Sequence, residues 1–345
     1  MKHRSYLLPL LAFFPSAAQA HVQWFVKPEE MKDVALPLDA VSSWLTAGVL
    51  ACVAVALLLT RYSRVFSITE KLLSHVPELD RRLYLSYFVI LIDIFLVMIL
   101  LQGGFLAPNL ILPVSLLPLG VFLQALIVVC TSFSVTLAGA AILLTTVVVL
   151  FVFPPLSVNY VFEFGAVGIF MLLNGPILCT VDQWVLPSGQ SGWRWKLSIR
   201  ILRVGIGLQL VTLALTEKLI NPGLGLVFVE MYPFYNFFSA LGLEQVSNLH
   251  FVYFIGISEF VLGLMLALGL ASRIVVAALA AAFTTTAIIH GLHEILGHLP
   301  IFAAALILLL ECANEPKGKL RQYAGPVHGK SLRDDRMRKP LPALG

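Results

Sequence analysis

Residues 290–300 read HGLHEILGHLP, which gathers three histidines and a glutamate behind a long apolar run. Imidazole ligates zinc or copper and titrates near ambient pH, and a neighbouring carboxylate can serve a metal or a proton equally well. On one α-helix His290, Glu294 and His298 recur every four residues and form a single drifting stripe, with His293 on its flank. Three uses fit that pattern. It is the solvated polar end of a membrane helix, or a site for a metal or a proton-coupled ligand built on His293, Glu294 and His298. The third is an HExxGH peptidase, since HEILGH matches that motif. The peptidase is set aside. His293 and His298 stand about 140° apart on a straight helix, and a third ligand and an open cleft are both needed.

The elements that position these residues belong to a membrane protein. The chain has 345 residues, 59% hydrophobic and 12% charged, with a mean hydropathy of +0.91, so its solvent is lipid. The formal net charge is +4, and no basic stripe lies outside the membrane-flanking segments, which excludes nucleic-acid binding. The start, MKHRSYLLPLLAFFPSAAQA, reads as a secretory signal over 1–20. Lys2 and Arg4 form its basic region, Tyr6 to Phe14 its apolar region, and Ala18-Gln19-Ala20 its cleavage site. Cleavage leaves His21 as the mature N-terminus, at the head of an exported segment over 21–40. A free N-terminal histidine offers amine and imidazole together, a bidentate pair suited to copper.

The expected fold is all-α and integral to the membrane. After the signal come about nine transmembrane helices, near residues 41–60, 84–103, 113–131, 136–153, 164–182, 201–219, 250–271, 274–292 and 299–312. Arg61, Arg64, Lys71, Arg81, Arg82, Arg194, Lys196, Arg200, Arg203, Arg273, Lys317, Lys319 and Arg321 all fall on one side of that thread. Only Lys27 and Lys32 fall on the other. The positive-inside rule then places the chain in a bacterial-type inner membrane, with the mature N-terminus exported and the C-terminus cytoplasmic. The basic Pro- and Gly-rich tail over 313–345 reads as disordered. WRWKLSIRILR (193–203) puts its tryptophans at the headgroups. The four cysteines lie in or beside apolar spans, which argues against a disulfide framework.

With the inner-face arginines as a ruler, Glu217 stands roughly 21 Å from Arg203 and Glu259 roughly 21 Å from Arg273. His290 stands roughly 26 Å up, with Lys218 between these heights. Glu217, Lys218, Glu259 and His290 therefore meet in one layer of the outer leaflet. Buried charges persist there when paired or when facing water. The expected pairs are Lys218 with Glu259 and Glu217 with His290, forming either a working polar chamber or an ion-pair set that fixes packing. Above the layer, 221–248 is aromatic and nearly uncharged. It reads as an interfacial cap or, with Tyr232 and Tyr235 as nearby donors, as a quinone mouth.

The chain also reads as two parallel four-helix repeats, over 81–182 and 198–312, plus the extra helix at 41–60. GFLAPN (104–109) takes the place of KLINPG (218–223), and Gln124 that of Glu259. The second block carries RILRVGIGLQLVTLALTEKLINPG and GISEFVLGLMLALGLASRIVVAALA, then the polar stretch and a final helix. It resembles the DoxX/DoxD family of four-helix membrane proteins. That resemblance implies a subunit of a quinone-linked redox system, passing electrons or protons between an exported reductant and the quinone pool. It implies other redox subunits or exported proteins as partners, besides membrane lipid. The signal, the extra N-terminal half and the histidine-rich outer end depart from a minimal member. A copper- or zinc-handling or transport protein with ligands at the exported face stays open beside it.

Overall fold

The structure is a computed structural model and describes residues 22–62, 81–186 and 191–313. Among the described residues every regular element is helical, as expected where no water can satisfy the backbone. The first half holds α1 (Ala40–Tyr62), α2 (Arg81–Leu101), α3 (Leu117–Thr131), α4 (Val135–Val152) and α5 (Val161–Leu178). The second half begins with α6 (Ser191–Ala214) and the short α7 (Pro222–Met231). It continues with α8 (Asn248–Leu268), α9 (Ser272–His290), α10 (Leu292–Gly297) and α11 (Leu299–Ala313).

Seven of these helices are long and apolar enough to cross a membrane. The expected third and ninth spans form α3 and α11, of 15 residues each, or roughly 22 Å of helix. Part of the expected third span is spent before α3, where Pro113 to Leu116 form turns rather than helix. The signal, His21, the segment 63–80 and the tail lie outside the described residues.

In the first half α2 packs on α3, α3 on α4, α4 on α5, and α5 on α2. In the second, α6 packs on α8, α8 on α9, α9 on α11, and α11 on α6. Two seams join these rings, α5 against α6 and α2 against α11. Helix α1 touches α8 from outside and is largely exposed. Its start is fixed by Asp39, whose Oδ1 accepts from the Ser42 amide at 2.9 Å while Ser42 Oγ accepts from the Asp39 amide at 3.0 Å. The Ser42 amide and the His250 ring hold the Asp39 carboxyl below its usual range.

The basic helix starts gather at one end. There Arg81 lies over the Trp195 ring at 5.1 Å and 3.8 Å from Glu311, which accepts from Tyr84 Oη at 2.5 Å. Trp195 is not the lipid anchor expected of it. It is 1% exposed and packs on Tyr84 and Phe170, whereas Trp193 remains exposed. Residues 22–39 cover the opposite end as a strap.

Close helix crossings rest on missing side chains. A Cβ on Gly207 of α6 would lie 2.5 Å from the Ala267 backbone nitrogen, and one on Gly263 of α8 2.7 Å from the Gly207 carbonyl. Gly207→Leu therefore forces α6 and α8 apart, and its melting temperature in detergent is expected to fall by roughly 5 °C or more. Gly165→Ala, with open space around its Cβ, serves as the neutral control. Equal melting of Gly207→Leu and the parent protein contradicts the close crossing.

Candidate functional site

The helical ladder changes pitch where the charges enter. Leu215–Leu219 forms a π-turn closed by the Ile220 amide on the Leu215 carbonyl at 2.7 Å. A widened turn swings successive residues away from their regular positions, and such turns recur at functional sites. Here Glu217 is 0% exposed and Lys218 1% exposed, although they are adjacent. Glu217 turns toward the strap and the first half. Lys218 turns toward α8, where its Nζ lies 2.8 Å from Glu259 Oε2. That contact is an ion pair, and it joins the two residues expected to meet.

Glu217 does not pair with His290. Its Oε2 accepts from the Val22 amide at 2.7 Å and its Oε1 from Asn159 Nδ2 at 3.3 Å. The network then crosses into the first half. Thr216 Oγ1 donates to Asn159 Oδ1 at 2.9 Å, Gln209 Nε2 to the Asn159 carbonyl, and the Glu163 amide to Gln209 Oε1 at 3.2 Å. Asn159 Nδ2 also reaches Gln23 Oε1 at 3.3 Å. Glu163, 3% exposed, adds a third buried carboxyl to Glu217 and Glu259. The layer thus lies on the α5–α6 seam as well as inside the second half.

Asn159, Glu163 and Gln209 are absent from the sequence-derived site. Glu163 falls one residue outside the expected fifth span, 164–182. A visible signal existed in Gln209, a long amide within an apolar helix.

The histidine run is broken rather than continuous. Helix α9 stops at His290 because Gly291 takes φ +75°, a backbone conformation that favours glycine. His290 consequently leaves the stripe. Its Nε2 shares a 2.5 Å hydrogen bond with Tyr235 Oη, and the two rings lie 8° from parallel. Phe25, Phe228 and Tyr232 surround it, with centroids 4.8, 5.8 and 5.0 Å away. Burial pushes the Tyr235 phenol above its ordinary value. The side chain of His293 lies outside the described residues.

Glu294 and His298 form a separate buried pair. His298 Nδ1 lies 2.9 Å from the Glu294 carbonyl and 3.5 Å from its Oε1. Since a carbonyl only accepts, Nδ1 carries the proton, and Nε2 is the ring's ligating nitrogen in the neutral form. Burial pushes the Glu294 carboxyl up to about 7, with Thr286 pulling the other way. The His298 ring packs at a tilt against Trp24 and Phe283, with centroids 4.9 and 4.7 Å away. A Cβ on Gly297 would lie 2.1 Å from Trp24 Cζ3, so the glycine of HEILGH admits the strap's indole. Trp24 Nε1 continues to Tyr160 Oη at 3.0 Å, which donates to Asn109 Oδ1 at 2.5 Å.

Among the described residues no group of three or more His, Cys, Asp or Glu is placed to hold a metal ion. The crevice among Ile206, Leu266, Val276 and Phe283 in the second half is apolar and has room for about one water. Comparison with protein families, with curated proteins and with solved structures finds no match.

Removing one member of a buried ion pair leaves the other uncompensated, at a cost of about 3–5 kcal/mol, whereas replacing both is often neutral. Lys218→Met alone is therefore expected to destabilise the protein strongly, and Lys218→Met with Glu259→Leu to recover most of the loss. Denaturant titration in detergent measures both variants. Additive losses would show that the two side chains act separately.

Proposed function

We propose that this chain is an inner-membrane subunit of a quinone-linked redox system, as its DoxX-like second half implies, with protons handled by the buried layer at the strap end. In this reading nine helices cross the membrane, the strap lies on the exported side and the C-terminus is cytoplasmic. The observation that carries the proposal is the burial of Glu217, held by the Asn159 side chain, beside the Lys218–Glu259 pair, with Gln209 tying the Asn159 carbonyl to the Glu163 backbone amide. The Asn159 side-chain amide donates to the Glu217 carboxyl and accepts from Thr216, so it can follow a change in that carboxyl's protonation. Ionisable groups kept at such depth are functional by default.

The Tyr235–His290 pair fits a quinone headgroup, since a phenol and an imidazole supply hydrogen bonds within an aromatic wall. When bound, a quinone supplies two-electron, two-proton chemistry. The residues around it would orient the headgroup through Tyr235 and His290, and exclude water through Phe25, Phe228 and Tyr232. Electrons would reach it from a partner subunit or an exported reductant.

A metal-handling role is the second reading. It is favoured by the buried Glu294–His298 pair, which sets an imidazole beside a carboxyl. Gentle purification from native membranes, followed by quinone extraction and metal analysis, separates the two. The redox reading expects roughly one quinone per chain, lost in Tyr235→Ala with His290→Ala. Stoichiometric copper or zinc without quinone would replace it with the metal reading.

A further inference from the structure

We propose that Asp93 of α2 is a proton-binding site of the first half, holding a hydrogen on Oδ2 that it donates to Thr131 at the end of α3. This site is separate from the strap-end layer and needs no quinone. Two oxygens compete there for one hydroxyl hydrogen. Thr131 Oγ1 lies 2.6 Å from the Val128 carbonyl oxygen and 2.8 Å from Asp93 Oδ2. A hydroxyl has a single hydrogen to give, and both a carbonyl and an ionised carboxylate only accept. With Asp93 ionised, one of these two short contacts therefore holds no hydrogen. With Asp93 protonated on Oδ2, each contact has its own. The acid then donates to Thr131 Oγ1, and Thr131 Oγ1 donates to Val128.

The end of α3 directs the Thr131 hydrogen to Val128. Carbonyls in the last turn of a helix lack their regular partners, and threonine hydroxyls bond back to such carbonyls. The Ser132 amide is bonded to the Val129 carbonyl at 3.2 Å, so the 2.6 Å hydroxyl contact serves the carbonyl one residue earlier.

The surroundings of Asp93 favour its neutral form. It stands twelve residues above Arg81 on α2, roughly 18 Å along the helix. Its Oδ1 is buried and meets no hydrogen-bond donor among the described residues. A carboxylate placed so would keep a charge in apolar surroundings without a partner, at a cost that protonation removes. The helices packed on α2 bring few titratable groups. α3 contributes Cys130, next to Thr131. α5 contributes Glu163, in its first turn at the strap end. α10 contributes Glu294, which is paired with His298. α11 contributes Glu311, which accepts from Tyr84 and faces Arg81.

The test uses the full chain in detergent. In Asp93→Asn an amide hydrogen replaces the acid hydrogen toward Thr131, so the fold is expected to be kept. Infrared spectra are taken at pH 7 and subtracted, parent minus Asp93→Asn. The difference is expected to contain one carboxylic-acid carbonyl band that shifts in heavy water. A pair of carboxylate bands in its place overturns the proposal. Thr131→Val removes the acceptor and leaves Asp93 in place, so the acid band is expected to move to higher frequency; an unmoved band overturns the bond to Thr131. Melting supplies an independent readout. The folded parent keeps the Asp93 proton between pH 5 and 7, whereas the unfolded chain, with an ordinary aspartate near pKa 3.9, has released it. The parent therefore loses stability as pH rises, and Asp93→Asn is spared that part of the loss. The melting temperature of the variant is expected to gain about 3 °C or more on that of the parent from pH 5 to pH 7. A gap that stays level or narrows overturns the proposal.

Discussion

A carboxylate with no solvent exposure, placed where two helical bundles meet, is the constraint around which this protein is arranged. Glu217 cannot be hydrated, so its oxygens must be met by the chain itself. The Val22 amide comes from the strap and the Asn159 side chain from the first half, while the π-turn carrying Glu217 belongs to the second. Removing either donor leaves a Glu217 oxygen without its partner. The same turn directs Lys218 the other way, to Glu259. One irregularity of the backbone thus serves two buried acids.

This arrangement gives the strap an unusual status for a segment that precedes the first long helix. It is tied to α7 by Lys32 and Glu230, to α8 through Asp39 and His250, and to the first half through Trp24 and Tyr160. It also gives the HEILGH run a physical explanation other than metal chemistry. Gly291 ends one helix, Gly297 leaves space for an indole, and His298 offers a ring face to that indole. Reading the same letters as one helical stripe misses all three, because a stripe presumes the helix that Gly291 interrupts.

Much of the framework was legible because lipid imposes simple rules. Long apolar runs had to be helices, and the boundaries of α2, α8 and α9 fall close to where hydropathy and flanking arginines place them, whereas α6 begins ten residues before the expected 201. The Lys218–Glu259 pairing was legible too, since depth along two antiparallel helices follows from a constant rise. Depth says nothing about azimuth, and there the expectation failed. Glu217 and His290 face different neighbours, because the π-turn rotates one and the end of α9 frees the other. The first-half contribution was hidden for a different reason. Asn159 and Glu163 sit at a loop-to-helix junction, where polar residues ordinarily signal only an interface. Trp195 misled in the same way, since its sequence neighbourhood describes an anchor and its packing against Tyr84 and Phe170 makes it core.

The central claim, that Glu217 clamps the strap across both halves, is tested most directly by cross-linking. Trp24→Cys with Gly297→Cys, in a background lacking the native cysteines, places two thiols at the indole's seat. A short thiol-specific linker applied to native membranes should join the peptides containing positions 24 and 297, as read by mass spectrometry. Adding Glu217→Leu should abolish most of that product. Separate labelling of the two thiols without a joined product, or equal yields with and without Glu217, would contradict the account.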